Sequence, residues 1–242
     1  MKIDVVLLPR DLKPEHLKDR AVAVFDVLRA TTTMTAALAA GVEEIRLFGD
    51  LASAKSAADT CTTPRLLCGE SACLPPEGFD LGNSPGQFTA DHRGAILYMC
   101  TTNGTRALLA AREAPLVLTA STVNAAAIAR VLKQSGREVT LLCAGTQGQI
   151  AMEDVLGAGV VIDALAGLGE VTLLSDIARI AHRFFMTGRN ELPKLFRDAE
   201  GGRNVIAAGL EADIDFAARV SVLNAVGVAA GDPLTVRRFP EF

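Results

Sequence analysis

Short apolar runs alternate with alanine-rich stretches through the first 143 residues, and this limits the fold more than any other feature. The runs are 3–8, 21–28, 44–48, 65–68, 95–100, 116–120 and 138–143. Several are apolar on both alternating faces, as strands covered on two sides must be. Between them lie 32–40, 50–60, 104–113 and 122–135, with helical spacing. The alternation predicts an α/β fold, a largely parallel sheet with helices on both faces. The stretch 72–94 holds three prolines and four glycines and reads as a long ordered loop. From about residue 150 the chain reads as mainly helical, over 151–167, 172–186, 191–198 and 203–218, with a last strand at 234–238 closing an edge. No segment resembles a linker, so residues 1–242 read as one domain.

Charge and cysteine usage exclude several classes. Twenty-four Lys and Arg against 28 Asp and Glu, with no basic run, leave nothing to grip a nucleic-acid backbone. Five cysteines at 61, 68, 73, 100 and 143 form no CxxC pair and leave one over. They read as reduced thiols of a cytoplasmic protein, not as a disulfide framework or zinc site. The opening MKIDVVLLPRD, interrupted by Asp4, is too short for a secretory signal. The longest apolar stretch, 155–174, carries Asp163 and Glu170, so no membrane span is expected. Ala/Gly-rich helices and a positive mean hydropathy favour a buried contact between two copies, a homodimer.

Three strands run into clusters of hydroxyl and amide residues that open a helix. One is Arg29-Ala30-Thr31-Thr32-Thr33, the next Thr101-Thr102-Asn103-Gly104-Thr105-Arg106, the third Ser121-Thr122-Val123-Asn124. One such residue caps a helix; three or four, beside free helix-start amides, suit a phosphate. In a parallel sheet these junctions share the carboxyl edge, where ligands bind. Acids follow the same geography: Asp26, Glu70, Asp80, Glu153 and Asp154 all fall at or beyond strand ends. Each alone reads as a solvated or capping carboxylate. Together, beside an anion site, they require a cation, and an all-oxygen set without a His or Cys cluster points to Mg²⁺.

Cys100 and Arg106 have the C-x₅-R spacing of cysteine-dependent phosphatases, in which a thiolate attacks phosphorus and the arginine clamps its oxygens. A buried strand-end cysteine is the plainer reading. The string Cys143 to Gly148 offers glycine amides to an anion but lacks the Lys-Thr ending of a nucleotide loop. Gly157-Ala-Gly159 sits inside a helical stretch and reads as helix packing. A non-catalytic binder of a small phosphorylated acid would use the same helix starts.

The strings FDVLRATTT (25–33), GFDLGNSP (78–85), TTNGTRAL (101–108), STVNAAAIA (121–129), CAGTQG with ED (143–154) and GGRNVIAAGLEADIDFAA (201–218) follow one another through nearly the whole chain. In this the sequence resembles the 2-phosphosulfolactate phosphatase family. The resemblance implies a Mg²⁺-dependent phosphatase converting 2-phospho-3-sulfolactate and water to 3-sulfolactate and phosphate, a step toward coenzyme M. It also implies a three-layer α/β/α fold whose sheet is parallel or mixed. Within its motifs fall Asp26, Arg29, Thr31, Thr32, Thr33, Glu70, Asp80, Asn83, Ser84, Thr101, Thr102, Asn103, Gly104, Thr105, Arg106, Asn124, Glu153 and Asp154. On this reading Asp26, Arg29 and Arg106 are catalytic. Asp26, Glu70, Asp80, Glu153 and Asp154 hold the metal, and the Thr, Asn, Ser and Gly positions bind the phosphorylated acid.

Overall fold

In the computed structural model, which describes residues 1–240, the first half of the chain is β1 (Lys2–Val6), β2 (Arg20–Phe25), α1 (Ala30–Ala40), β3 (Glu44–Phe48), α2 (Leu51–Asp59), β4 (Arg65–Gly69), β5 (Ile96–Cys100) and α3 (Gly104–Ala111). The second half is β6 (Leu116–Ala120), α4 (Ala125–Ser135), β7 (Glu138–Cys143), α5 (Met152–Gly167), β8 (Thr172–Leu173), α6 (Asp176–Gly188), α7 (Leu192–Asp198), α8 (Glu200–Ala207), α9 (Glu211–Ala217), β9 (Gly227–Ala230) and β10 (Thr235–Arg238). The last two residues of the span 1–242 lie outside the described residues. No described helix is long and apolar enough to cross a membrane.

The strands form one ten-stranded mixed sheet in the order β4-β5-β3-β10-β9-β6-β2-β7-β1-β8. Helices cover both faces, giving three layers. The two-sided apolar strands do what their composition requires. Ala21, Ala23 and Phe25 of β2 face a core shared with α4, α5 and α6, while Val22 and Val24 face α1 and α3. Helix α1 is buried from Ala30 to Leu38, enclosed by Val22 and Val24 from one side and Ile45, Leu97 and Met99 from the other. Helix α2 covers the outer face of β4 and β5 through Ala54 and Ala58 against Leu67, Ile96 and Tyr98.

Several expectations are corrected. The strand at 234–238 does not close an edge: β10 pairs with β3 on one side and β9 on the other, both antiparallel. Strand β9 escapes sequence reading because Gly-Val-Ala-Ala has one β-branched residue. Strand β8 escapes because two residues carry no period; the expected helix 172–186 starts only at Asp176, with Ser175 accepting from the Ala178 amide. The helix expected over 203–218 is two, α8 and α9, separated at Gly209, whose φ is +73°. The Gly157-Ala-Gly159 string is helix packing: a Cβ on Gly159 would lie 2.3 Å from the Ala181 carbonyl of α6.

The inserted hairpin also changes how the site is made. Strands β6, β2, β7, β1 and β8 run parallel, as do β3, β5 and β4, but β6/β9, β9/β10 and β10/β3 are all antiparallel. The two parallel blocks therefore run in opposite senses. A flat sheet would send the ends of β2 and β5 to opposite edges. Five strand-to-strand steps separate them, and twist of roughly 20–25° per step turns the blocks through roughly 100° or more. Curled about α1 and α3, the blocks bring these ends together.

Candidate active site

A cleft of about 160 Å³ opens where the carboxyl ends of β2, β4, β5 and β7 meet. Its lining includes Arg29 after β2, Glu70 after β4, Thr102 and Asn103 after β5, Thr146 and Gln147 after β7, and Gly201 and Asn204 of α8. Four of the predicted segments therefore converge, and the carboxy-terminal helices close the cleft.

Asp26 stands at the end of β2, 7 % exposed. Its Oδ1 accepts from the Ala30 amide at 3.3 Å, and its Oδ2 lies against the first turn of α3 at Gly104. Burial, then the negative charges of Glu70 and Glu153, push its carboxyl up to about 7, against the Ala30 and Gly104 amides. Glu153, 1 % exposed in the first turn of α5, is also pushed up to about 7, chiefly by burial. Its Oε1 rests against Gly201, and its Oε2 has no hydrogen-bond partner. Asp154 accepts from the Val27 amide at 2.8 Å and the Gly145 amide at 3.0 Å, tying the ends of β2 and β7 together. Burial, then Glu153 and Asp26, hold its carboxyl well above the usual range.

Glu70 Oε2 receives Asn83 Nδ2 at 3.1 Å and Arg29 Nη2 at 3.4 Å. Asn83 is buried, and its Oδ1 has no partner. Arg29 is almost wholly enclosed and bonds Ser84, the Cys73 carbonyl and Asp213 as well. The structure thus gathers Asp26, Arg29, Glu70, Asn83, Ser84, Glu153 and Asp154, with Thr102, Asn103 and Gly104 alongside.

Other predicted residues are placed elsewhere or are already occupied. Thr31 Oγ1 donates to the Asp26 carbonyl and accepts the Asp26 amide; Thr32 Oγ1 donates to the Val27 carbonyl and contacts Ser121; Thr33 Oγ1 donates to the Asn83 carbonyl. All three are fully buried, so these hydroxyls secure the strand-to-helix turn and the 83 segment and do not face the cleft. Thr101 and Thr105 hydroxyls bond each other at 3.1 Å, in the interior. Asn124 donates to the carbonyls of Ala225 and Thr119 and to Thr35 Oγ1, and accepts the Ser121 amide, so it joins β6, α1 and the segment before β9. Asp80 is exposed, and its carboxylate takes the Leu67 amide at 2.7 Å, outside the groups that act on Asp26. Arg106 is exposed on α3 and makes no ion pair among the described residues.

Cys100 faces the small core beneath α2, with Ala54, Ala58 and Tyr98. Burial, then Asp50 and Glu70, raise its thiol, opposite to the shift a nucleophilic thiolate needs. Both the placement of Cys100 in this core and the raised thiol weigh against the C-x₅-R reading. The residue that sequence reading missed is Asp213, buried on α9 and bonded to Arg29; its one signal was its place as the first of two aspartates in the tail string GLEADIDFAA.

The donor set is chemically uniform. Glu70 and Asp213 flank the one enclosed guanidinium, and Asp26, Glu153 and Asp154 form a second acidic group whose charges act on one another. Such a set repels an anion unless positive charge is added. The atoms Asn83 Oδ1 and Glu153 Oε2, buried acceptors without partners, suit a cation. Among the described residues, however, no group of three or more His, Cys, Asp or Glu could hold a metal ion. The five-carboxylate metal set expected from Asp26, Glu70, Asp80, Glu153 and Asp154 is therefore not assembled, since Asp80 is turned to the Leu67 amide and the others form no such cluster.

The fold is that of a three-layer α/β protein with an acid-lined cleft, and comparison with known proteins places it among phosphatases. The family model described as 2-phosphosulpholactate phosphatase matches residues 6–232. A relative from Synechococcus sp. (strain JA-3-3Ab), named probable 2-phosphosulfolactate phosphatase, is 39% identical over 212 residues, 86% of this chain and 87% of that protein. A second, from Carboxydothermus hydrogenoformans and named likewise, is 36% identical over 226 residues, 93% of this chain and 92% of that protein. The chain belongs to the 2-phosphosulfolactate phosphatase family.

Proposed function

We propose that the chain is a Mg²⁺-dependent phosphomonoester hydrolase acting in the cytoplasm on 2-phospho-3-sulfolactate, releasing 3-sulfolactate and phosphate for a route of the coenzyme M type. The observation that carries the reading is that Arg29 and Glu70, from strand ends in oppositely running blocks, line one cleft, with Asp26 buried behind it within reach of the Glu70 charge. The names of the relatives supply the substrate. Asp26 and Glu70 would hold the ion, with Asn83 Oδ1 available beside Glu70. Bound there, the ion supplies the positive charge that this acidic cleft lacks for phosphoryl oxygens.

The chain's own residues do the rest. Arg29 brings a fixed guanidinium to the cleft wall, and the Thr102–Asn103 turn, at the start of α3, offers amides to the ester. Glu153, pushed up to about 7 by burial and not assigned to the ion, can carry or release a proton near neutrality, whereas Asp26 would do so only with no ion bound. The test is a phosphate-release screen over small phosphorylated hydroxy acids, including phosphosulfolactate and phospholactate, with Mg²⁺ or EDTA. Release from none of them, or tight binding without release, removes the hydrolase reading. Equal rates in EDTA remove the metal.

We also propose a homodimer. A groove of about 260 Å³ is lined by Leu7, Ile150, Met152, Ile177, Ile180 and Phe184, with Ile150 53% and Ile180 57% exposed. Ile177, Ile180 and Phe184 form one stripe of α6, with Asp176 and Arg183 near its ends. Two antiparallel α6 helices would bring Asp176 of one copy near Arg183 of the other. Sedimentation should give a dimer that Ile180→Glu converts to a monomer; a monomeric parent protein ends this proposal.

A further inference from the structure

Arg29 opens α1 with its guanidinium shut away from solvent and held by segments distant in the chain. Nη1 donates to Asp213 Oδ2 at 2.6 Å and to Ser84 Oγ at 3.0 Å. Nη2 donates to the Cys73 carbonyl at 2.6 Å and to Glu70 Oε2 at 3.4 Å. Ser84 Oγ also donates to Asp213 Oδ2, at 2.7 Å. Nη1, Ser84 Oγ and Asp213 Oδ2 thus close a ring of three contacts. Asp213 is buried and comes from α9, near the other end of the chain.

We infer that Asp213 is a positioning residue of this site: it fixes the Arg29 guanidinium, and through Arg29 the Glu70 carboxylate, at the wall of the cleft. The kinetic consequence rests on the phosphatase reading; the geometry does not. Two carboxylates compete for one guanidinium. The Asp213 contact is short and charge-assisted, and the Glu70 contact is the long one, 3.4 Å against 2.6 Å. A buried guanidinium deprived of its nearer counter-charge must find another, and Glu70 is the remaining ion-pair partner among the described residues. Without the Asp213 charge, Arg29 closes on Glu70, and Glu70 is drawn from Asn83 and from the cleft. Ser84 holds the arrangement because one hydroxyl both accepts from Arg29 and donates to Asp213.

Asp213→Asn keeps the shape and removes the charge, and Asp213→Glu returns the charge. Thermal unfolding first establishes that both variants fold. The Arg29 guanidinium is then followed by ¹⁵N–¹H NMR, its signals assigned by their loss in Arg29→Lys. Because Nη1 and Nη2 are tied to different acceptors, the wild type should show separate, slowly exchanging Nη resonances. In Asp213→Asn the Nη1 resonances should shift and exchange faster while the Nη2 resonances, drawn onto Glu70, stay protected, with kcat down roughly 10- to 100-fold and KM changed by less than about threefold. Asp213→Glu should recover most of kcat. A merely structural role would lower the melting temperature and leave kcat alone, and that result overturns the inference. So do Nη1 resonances unchanged in position and exchange rate in folded Asp213→Asn. If the wild type hydrolyses no phosphate ester, the phosphatase reading fails by itself. The affinity for inorganic phosphate then takes the place of kcat, and an unchanged affinity in Asp213→Asn overturns the positioning role.

Discussion

Gly104 opens α3 directly against the carboxylate of Asp26: a Cβ at position 104 would sit 2.9 Å from Asp26 Oδ2 and 2.7 Å from the Ala30 side chain. Asp26 ends a strand of one parallel block and Gly104 follows a strand of the other, so this contact is where the two halves of the site lock. Gly104→Ala must therefore push α3 or Asp26 aside. Overpacking of this kind costs about 1–3 kcal/mol. Phosphate release should fall by at least about tenfold, because small displacements at a reacting centre are costly. Chemical denaturation and steady-state kinetics check both; a normal rate would detach Gly104 from the site.

Asp26→Asn should abolish turnover and leave the fold intact, since the amide keeps the shape and can still accept from Ala30. Its pH behaviour is also defined. Asp26 is raised from an ordinary 3.8 to about 7. Below the lower value both folded and unfolded chains hold the proton, and the stabilisation is complete. Between about 4 and about 7 the unfolded chain releases it while the folded chain keeps it, so stability falls as pH rises. In EDTA, wild type should lose on the order of a few kcal/mol across this window relative to Asp26→Asn. Mg²⁺ at pH 7.5 should restore part of it in wild type alone. Parallel stability curves for the two proteins would show that Asp26 is not the titrating group.

Gly201 is packed on Glu153 so closely that a Cβ would lie 2.0 Å from Oε1. Gly201→Ala should displace the Glu153 side chain or open α8 away from the cleft. The expected result is a loss of activity larger than the loss of stability. The higher helix propensity of Ala over Gly, up to about 1 kcal/mol, offsets part of the strain. Unchanged kcat in Gly201→Ala would mean that Glu153 is spectator packing.

Cys100→Ser should retain activity within about twofold, since the thiol faces Ala54, Ala58 and Tyr98 beneath α2, while burying an unpaired hydroxyl costs about 1–3 kcal/mol of stability. Loss of turnover in a folded Cys100→Ser protein would revive the thiolate route.

Local signals in the sequence determine much of this protein. The run AVAVF makes β2 because alternate residues meet two different cores, and Ala-rich α1 follows because small residues let it be buried from Ala30 to Leu38. The strings FDVLRATTT and GFDLGNSP hold residues that do meet, among them Asp26, Arg29, Asn83 and Ser84. Residue type alone did not separate Thr102, on the cleft wall, from Thr31, Thr32 and Thr33, whose hydroxyls are used in the turn beneath it. That division depends on which side of a helix start faces solvent. The placing of β9 and β10 between the blocks, the reversal of direction that follows, and the arrival of Asp213 at Arg29 were decided by tertiary structure. Strand order and long-range ion pairs depend on how buried surfaces fit one another across the whole chain, and short-range periodicity carries no record of that fit.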